Sequence, residues 1–263
     1  MNILDTIIQH KIKEVELAKA FKSIAMLKAM PLFVAPTLSL KSFLLDETKT
    51  GIIAEYKRKS PSKGIINKVA TVHTVTNAYA EHGASGISVL TDTNFFGGSL
   101  ADLEAATINR IPLLRKDFMI DEYQLYEAKA YGASVILLIA ACLSPKRVKE
   151  LALKAKNLGL EVLLEIHNKE ELQHICDEVD LVGVNNRNLK DFVVNIEASA
   201  ELIKEIPTNK VAVAESGIND TNTIVFLRKV GFKGFLIGEH FMKQPDPTIA
   251  FADFVKELSS KTL

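Results

Sequence analysis

The chain has 263 residues, 48% of them hydrophobic, with 13 glycines and 8 prolines; that supports a sizeable core and excludes disorder as the main state. Its 32 lysines and arginines balance 32 aspartates and glutamates, so no net field holds nucleic acid or an anionic bilayer, and any bound anion must meet a local site. Cys142 and Cys176 lack the spacing of a redox or zinc pair, the longest apolar run, ASVILLIAACL, is too short to span a bilayer, and the N-terminus has no apolar signal core, so a soluble, cytoplasmic protein with reduced thiols is expected.

Residues 1–45 open with LDTIIQHKIKEVELAKA, a helical pattern, and continue into a Pro-containing connector. That segment is too short for a domain and is expected to pack on the rest as a lid or plug. From Gly51 onward, apolar runs alternate with amphipathic stretches of helical length. GIIAEY comes first and leads into KRKSPSKG; alternation puts Ile53, Glu55 and Lys57 on one face. Lys57, Arg58, Lys59 and Lys63 would ordinarily be solvated loop cations. TVTNAYAEH reads as a helix and GISVLTD as the second strand. GGS at 97–99 lacks the Lys-Ser/Thr ending of a nucleotide phosphate loop and reads as a tight turn before a helix near Leu100.

IPLLRKD is the third strand, ending at Lys116, and SVILLIA the fourth, with DEYQLYEAKAYG between them as a helix. SPKRVKELALKAKNLG is helical. EVLLEIH, the fifth strand, ends at Glu165 and is followed by NKEELQHICDE, again with a helical pattern. LVGVNN carries Asn185, with Arg187 just beyond; VAVAES carries Glu215 and Ser216; FLIGEH is the eighth strand. NIEASAELIKEI and NDTNTIVFLRKVG fill the gaps as helices, and several of these helices start at a capping residue and end at Gly. Strands recurring about every 20 to 35 residues, rich in Val, Ile and Leu, are the pattern of a parallel sheet covered on both faces. Eight such units predict a single α/β domain over 1–263, a (β/α)8 TIM barrel at 50–263 with an N-terminal helical extension at 1–45. An open doubly wound sheet would lack its paired-glycine dinucleotide fingerprint here.

Chemistry in such a barrel sits where strands end. Glu55, Lys57, Lys116, Glu165, Asn185, Arg187, Glu215 and Ser216 should therefore converge on one mouth. Lys116 shares a face with Leu114, Glu165 with Leu163 and Glu215 with Val213, which points each inward. One acid at a strand end is more often a solvated or capping carboxylate; five strands repeating the feature point to acid–base chemistry. Gly217 and Gly238 follow strands seven and eight, where this fold grips phosphate with backbone N–H groups and a short helix N-terminus. Glu239 beside them would bind through its backbone amide with its side chain turned away. The histidines show no metal-site spacing, so no metal is expected, and His167 and His240 read as rim or supporting residues.

IAEYKRKSPSKG, SVLTDTNFFGGSLADL, LLRKDFMIDEYQLYEAKAYGASVILLI, LLEIHN, GVNNRNL, AESGI and FLIGEHFM resemble, in order, the blocks of the indole-3-glycerol phosphate synthase family over residues of about 50 to 245. FVAPTLSLKSFLL is a looser match and lacks an arginine often found there. The resemblance implies ring closure of 1-(2-carboxyphenylamino)-1-deoxyribulose 5-phosphate with loss of carbon dioxide and water. It implies Lys116 as general acid at the ketone oxygen, and Lys57 as a second catalytic lysine that Glu55 holds. Glu165 would stabilise or deprotonate the anilinium-like intermediate that Asn185 orients. Glu215 and the catalytic-group Ser216 would hold sugar hydroxyls, Ser60, Gly217, Gly238 and the Glu239 backbone would take the phosphate, and Arg187 would brace the mouth or meet an anion. KSPSKG becomes a loop able to hinge over the phosphate. No cofactor is implied, and the partner is a small phosphorylated substrate met by a monomer. The rivals are an isomerase of a similar ribulosyl amine, which needs no lysine on strand three, a Schiff-base aldolase, and a catalytically silent ligand-binding barrel.

Overall fold

The structure, a computed structural model, describes residues 3–187 and 193–261. The eight apolar runs form eight parallel strands: β1 Ile52–Tyr56, β2 Gly86–Leu90, β3 Leu113–Lys116, β4 Val135–Ile139, β5 Glu161–Ile166, β6 Leu181–Asn185, β7 Val211–Glu215 and β8 Gly234–Ile237. Each pairs with the next, and β8 returns to β1 with Phe235 opposite Ile52, closing the barrel. The two faces of the strands bury different sets. Ile53, Leu114, Leu137, Leu163, Leu181, Val213 and Leu236 fill the interior. Ile52, Ala54, Val89, Ile136, Val162, Val182 and Phe235 pack outward on the helices. Both faces being dry explains why the strands read as continuous apolar runs.

The surrounding helices begin where a side chain can accept from the first free N–H groups. Thr71 caps α4 (Val72–Glu81), Ser99 caps α5 (Leu100–Ala106), and Asp121 with Gln124 makes a capping box on α6 (Glu122–Ala130). Ser144 precedes Pro145 at the start of α7 (Pro145–Asn157), Asn195 caps α8 (Ile196–Leu202), and Asp220 caps α9 (Thr221–Lys229). A short α10 (Glu239–Met242) follows β8, and α11 (Pro247–Ser260), the helix that completes the eighth unit, contributes Phe251, Phe254 and Leu258 to the outer core.

One expected helix is different. NKEELQHICDE forms a 3-10 helix at Lys169–His174. The Glu171 carboxylate folds back to accept from the His167 amide at 2.7 Å, and the His174 ring nitrogens sit 3.0 Å from the carbonyls of Glu171 and Leu143. These side-chain bonds satisfy the short segment without a second α-helical turn.

Residues 1–45 act at both ends of the barrel. At the N-terminal end, Leu40 and Leu44 of α3 (Leu40–Leu45) join the interior cluster. An added Cβ at Gly86 would come within 2.6 Å of Leu40, and one at Gly234 within 3.0 Å of Leu44, so α3 closes the bottom like a stopper. At the opposite end α1 (Ile3–Phe21) inserts Lys11 between acids that follow β2 and β3, and its Ile3, Leu4 and Ile7 line the central cavity. A shorter α2 (Ile24–Lys28) then seats Leu27 beside Tyr123 and Tyr126 of α6.

Candidate active site

Strand alternation delivers the polar ends of five strands, and Ser88 from the middle of a sixth, to one place. Lys116 terminates β3, and its Nζ lies 3.1 Å from Oε2 of Glu165 on β5 and 3.0 Å from Oε2 of Glu215 on β7. Asn185 of β6 donates from Nδ2 to the other Glu165 oxygen at 3.0 Å, and its own Oδ1 accepts from the Arg187 amide at 3.0 Å. On β1, Glu55 Oε1 lies 2.8 Å from Lys57 Nζ, while Ser88 Oγ of β2 donates to Oε2 at 3.4 Å. The cavity above this layer has a volume of about 1530 Å³ and is lined by Glu55, Lys57, Ser60, Lys116, Glu165, Asn185, Arg187, Glu215 and Ser216, among others. Phe96, Phe118, Leu137 and Ile139 supply apolar wall, which suits a planar aromatic ligand beside converging charges.

Burial and charge act against each other in this layer. Burial alone would lower the pKa of the Lys116 ammonium, but Glu165, Glu215 and Glu55 outweigh it and hold it above the ordinary lysine range. Burial would raise Glu165, yet Lys116, His167 and Asn185 hold it well below the usual carboxylate range. Glu55 is likewise depressed, because Lys57 and Lys116 overcome its burial. Glu215 goes the other way: burial, with Glu165 and Glu55 nearby, outweighs Lys116 and pushes it up to about 7. One carboxylate kept anionic and one near neutrality is an arrangement suited to acid–base chemistry.

Gly217, Gly238 and Glu239 lie close by but are not on the cavity lining. Gly238 has a steric reason of its own: an added Cβ would come within 2.7 Å of Glu55 Oε1. Gly183 does the same for Glu215, whose Oε1 would lie 2.0 Å from a Cβ there. Ser216 has φ 66° and Gly217 φ 72°, and Asn186 pins the turn by donating to the Ser216 carbonyl at 2.7 Å. A serine held in the left-handed region is strained backbone of the kind found at working sites. Arg187 reaches Glu239, Nη2 to Oε2 at 3.6 Å, and so ties the loop after β6 to α10.

A family model for indole-3-glycerol phosphate synthase matches residues 4–254. The indole-3-glycerol phosphate synthase of Bacteroides thetaiotaomicron is 47% identical over 258 residues, 98% of this chain and 99% of that one. The chain belongs to the indole-3-glycerol phosphate synthase family. The synthases of Chromobacterium violaceum, at 42% identity over 94% of this chain and 95% of that one, and of Albidiferax ferrireducens, at 38% over 96% and 97%, resemble it over similar spans. Among solved structures, a tryptophan synthase α-subunit from Legionella pneumophila gives a TM-score of 0.62 at 11% identity, covering 84% of this chain and 95% of that one. The thiamine phosphate pyrophosphorylase of Pyrococcus furiosus gives 0.59 at 16% identity, covering 86% of this chain and all of that one; likenesses this distant speak to the barrel alone. As a member of the family, the chain is a carboxy-lyase of tryptophan biosynthesis that closes the carboxyphenylamino deoxyribulose phosphate to indole-3-glycerol phosphate.

The enzyme's mouth also holds groups whose partners sequence patterns did not give, His167 among them, read from the sequence as a rim or supporting residue. His167 sits with Nε2 3.1 Å from Glu165 Oε1 and Nδ1 3.2 Å from Glu171 Oε2. Burial would lower its pKa, but the two carboxylates raise it to about 10, so it stands as a cation. Arg58 is no solvated loop cation: its guanidinium pairs with both oxygens of Asp102 and donates to the Gly97 carbonyl at 3.0 Å and to the Tyr56 hydroxyl at 2.9 Å. The KSPSKG segment forms a small antiparallel ladder, Lys59–Ser60 on Gly64–Ile65, turning at Gly64 with φ 65°, and Ser60 Oγ accepts from the Lys63 amide at 3.2 Å. Beneath α1, Lys11 is fully buried, 3.0 Å from Asp92 and 2.9 Å from Asp117, and Asp117 in turn lies 3.1 Å from Arg115. Asp117 is the residue after Lys116, so α1 is tied to the strand that carries the central lysine.

Proposed function

We propose that the family reaction is divided among these residues with Lys116 as the acid at the ketone oxygen. The arene carbon bearing the carboxylate attacks the ketone, and charge develops on the ketone oxygen. An ammonium fixed on the floor of the cavity stabilises that charge and protonates it, an effect worth on the order of 10² to 10³ in rate. The observation that carries this is the position of Lys116 Nζ, held between Glu165 and Glu215 at 3.1 and 3.0 Å on the cavity floor. Lys57, steered by Glu55, meets the substrate carboxylate and serves the later proton transfers. Glu165, kept anionic, stabilises the cationic charge that ring closure places on the arene and its nitrogen and that decarboxylation discharges, with Asn185 orienting that intermediate.

Glu215 and Ser216 position the sugar hydroxyls, and Ser60 with the backbone at Gly217, Gly238 and Glu239 takes the phosphate. Those amides lie at the ends of β7 and β8, and the start of α10 supports an anion through its free N–H groups. Arg187 braces the rim through Glu239. The whole chain, 1–263, folds as one domain and works as a cytoplasmic monomer, for which sedimentation at a single-chain mass is the check. The test of Lys116 is fluorescence of the indole product: Lys116→Met, folded by circular dichroism, is expected to lose at least ~10²-fold in kcat, whereas near-normal turnover would move the acid elsewhere. Borohydride trapping of an adduct on Lys116 would favour Schiff-base chemistry instead.

A further inference from the structure

Lys116 touches two carboxylates at almost equal distance, yet their surroundings differ. Glu165 is answered on both oxygens, by Lys116 on Oε2 and by Asn185 and His167 on Oε1. Glu215 has Lys116 on Oε2 only; its Oε1 is buried and meets no donor among the described residues, lying against Gly183. Glu215 is 1% exposed. A buried carboxylate oxygen without a donor carries the full desolvation penalty when ionised and much less when protonated. The charged groups facing it are Lys116 from β3, Glu165 from β5 and Glu55 from β1, with Gly183 and Asn185 of β6 and Leu236 and Gly238 around β8 adding no charge. Among the described residues of the mouth, the cations Lys57, Lys116, His167 and Arg187 already face the anions Glu55, Glu165, Glu171 and Glu239. A further carboxylate charge on Glu215 has no counterpart of its own among them. The upward displacement of Glu215 and the downward one of Glu165 agree with this asymmetry.

We propose that Glu215 is the proton reservoir of the reaction, recharging Lys116 across their 3.0 Å contact, while Glu165 stays an anion throughout. This rests on Lys116 being the acid. In ring closure a carbon–carbon bond forms, the ketone oxygen takes a proton from Lys116 Nζ, and the carboxylate departs as carbon dioxide with its bonding pair returning to the ring. Glu215 then passes its proton to the neutral Nζ, giving back an ammonium and leaving a carboxylate. Because the lysine is much the stronger base, the transfer is downhill. Dehydration places a second proton on the departing hydroxyl and releases one from the ring carbon next to nitrogen; the Glu215 carboxylate takes the released proton. The cycle consumes one proton net, which enters from solvent.

The experiment is the pH dependence of kcat and kcat/KM for the full chain, wild type against Glu215→Gln and Glu165→Gln. Wild type is expected to lose kcat/KM as pH rises through about 7. Glu215→Gln is expected to remove that basic limb and lower kcat by about 10²-fold, beyond any rise in KM from its hold on the sugar hydroxyls. Glu165→Gln should keep the limb and move it to lower pH, since one repelling charge is gone. A group that only held a sugar hydroxyl would raise KM and leave the limb, so a retained limb in Glu215→Gln overturns the proposal. Infrared titration of folded wild type between about pH 5 and 9 gives a reading independent of any variant: a carboxylic acid band fading near 7 supports it, and no such band overturns it. If Lys116→Met turns over normally, the assignment of the acid has failed; if Lys116→Met is dead and Glu215→Gln keeps the limb, only the reservoir has failed.

Discussion

Replacing Lys11 with Met tests whether the N-terminal helix is held by charge. Lys11 lies in the middle of α1, has no exposed surface, and places Nζ 3.0 Å from Asp92 and 2.9 Å from Asp117, both themselves buried. Met preserves the volume and strands two acids. Removing one partner of a buried pair costs about 3 to 5 kcal/mol, and Arg115, still 3.1 Å from Asp117, keeps the loss near the lower figure. At roughly 2–4 °C per kcal/mol for a chain somewhat under this size, about 3 kcal/mol lowers the melting temperature by about 6–12 °C. The acid limb gives a second reading. Burial would raise Asp117, but Lys11 and Arg115 hold it at about 2 in the folded state, below its ordinary 3.8. A depressed carboxylate stabilises the fold fully above its unfolded pKa and ceases to as pH falls through its folded one. That gap corresponds to about 2 kcal/mol, lost between about pH 4 and pH 2. Lys11→Met should therefore unfold at a higher pH during acid titration. Thermal and acid unfolding followed by circular dichroism, with KM measured in parallel because Ile3, Leu4 and Ile7 line the cavity, give the answer. A melting temperature within about 2 °C of wild type, together with unchanged KM and an unchanged acid midpoint, would refute the coupling.

Three further outcomes follow from the geometry. Gly238→Ala is expected to push Glu55 from its seat, since the new methyl would lie 2.7 Å from Oε1, lowering kcat by about tenfold or more through Lys57; unchanged kinetics would mean that Glu55 relaxes freely. Arg58→Ala should free the loop after β1 from Asp102 and Gly97, raising KM while leaving the melting temperature within about 3 °C, as checked by kinetics and calorimetry. Ser216→Gly, which relieves a side chain at φ 66°, should stabilise the chain by up to about 1 kcal/mol in urea unfolding while costing activity, and a loss of stability would mean the hydroxyl is anchored.

The sequence made the barrel legible because its strands are dry on both faces, so eight apolar runs stood out. It made the site legible because period-two alternation points Lys116, Glu165 and Glu215 inward above Leu114, Leu163 and Val213, and the closed ring then brings them together. Lys11 could not be found in the same way. In a helix carrying Lys11, Lys13 and Lys19, periodicity does not say which lysine is buried; Asp92 and Asp117, some eighty and a hundred residues on, decide it. His167 was visible only as the residue two past Glu165, which places both on the inner face, and its partner Glu171 depends on the 3-10 turn that replaced an expected helix. Gly183 and Gly238 had no local signature for their steric duties, because the carboxylates they accommodate come from β7 and β1.

The most direct measurement of what Lys116 does is a crystal structure with an unreactive aryl-amino sugar phosphate in the cavity. The ligand's carbonyl or hydroxyl oxygen is expected within about 3.2 Å of Lys116 Nζ, with its carboxylate toward Lys57 and its phosphate near Ser60 and the backbone of Gly217 and Gly238. A ligand seated in the cavity with Lys57 at that oxygen, and Lys116 still bound only to Glu165 and Glu215, would contradict it.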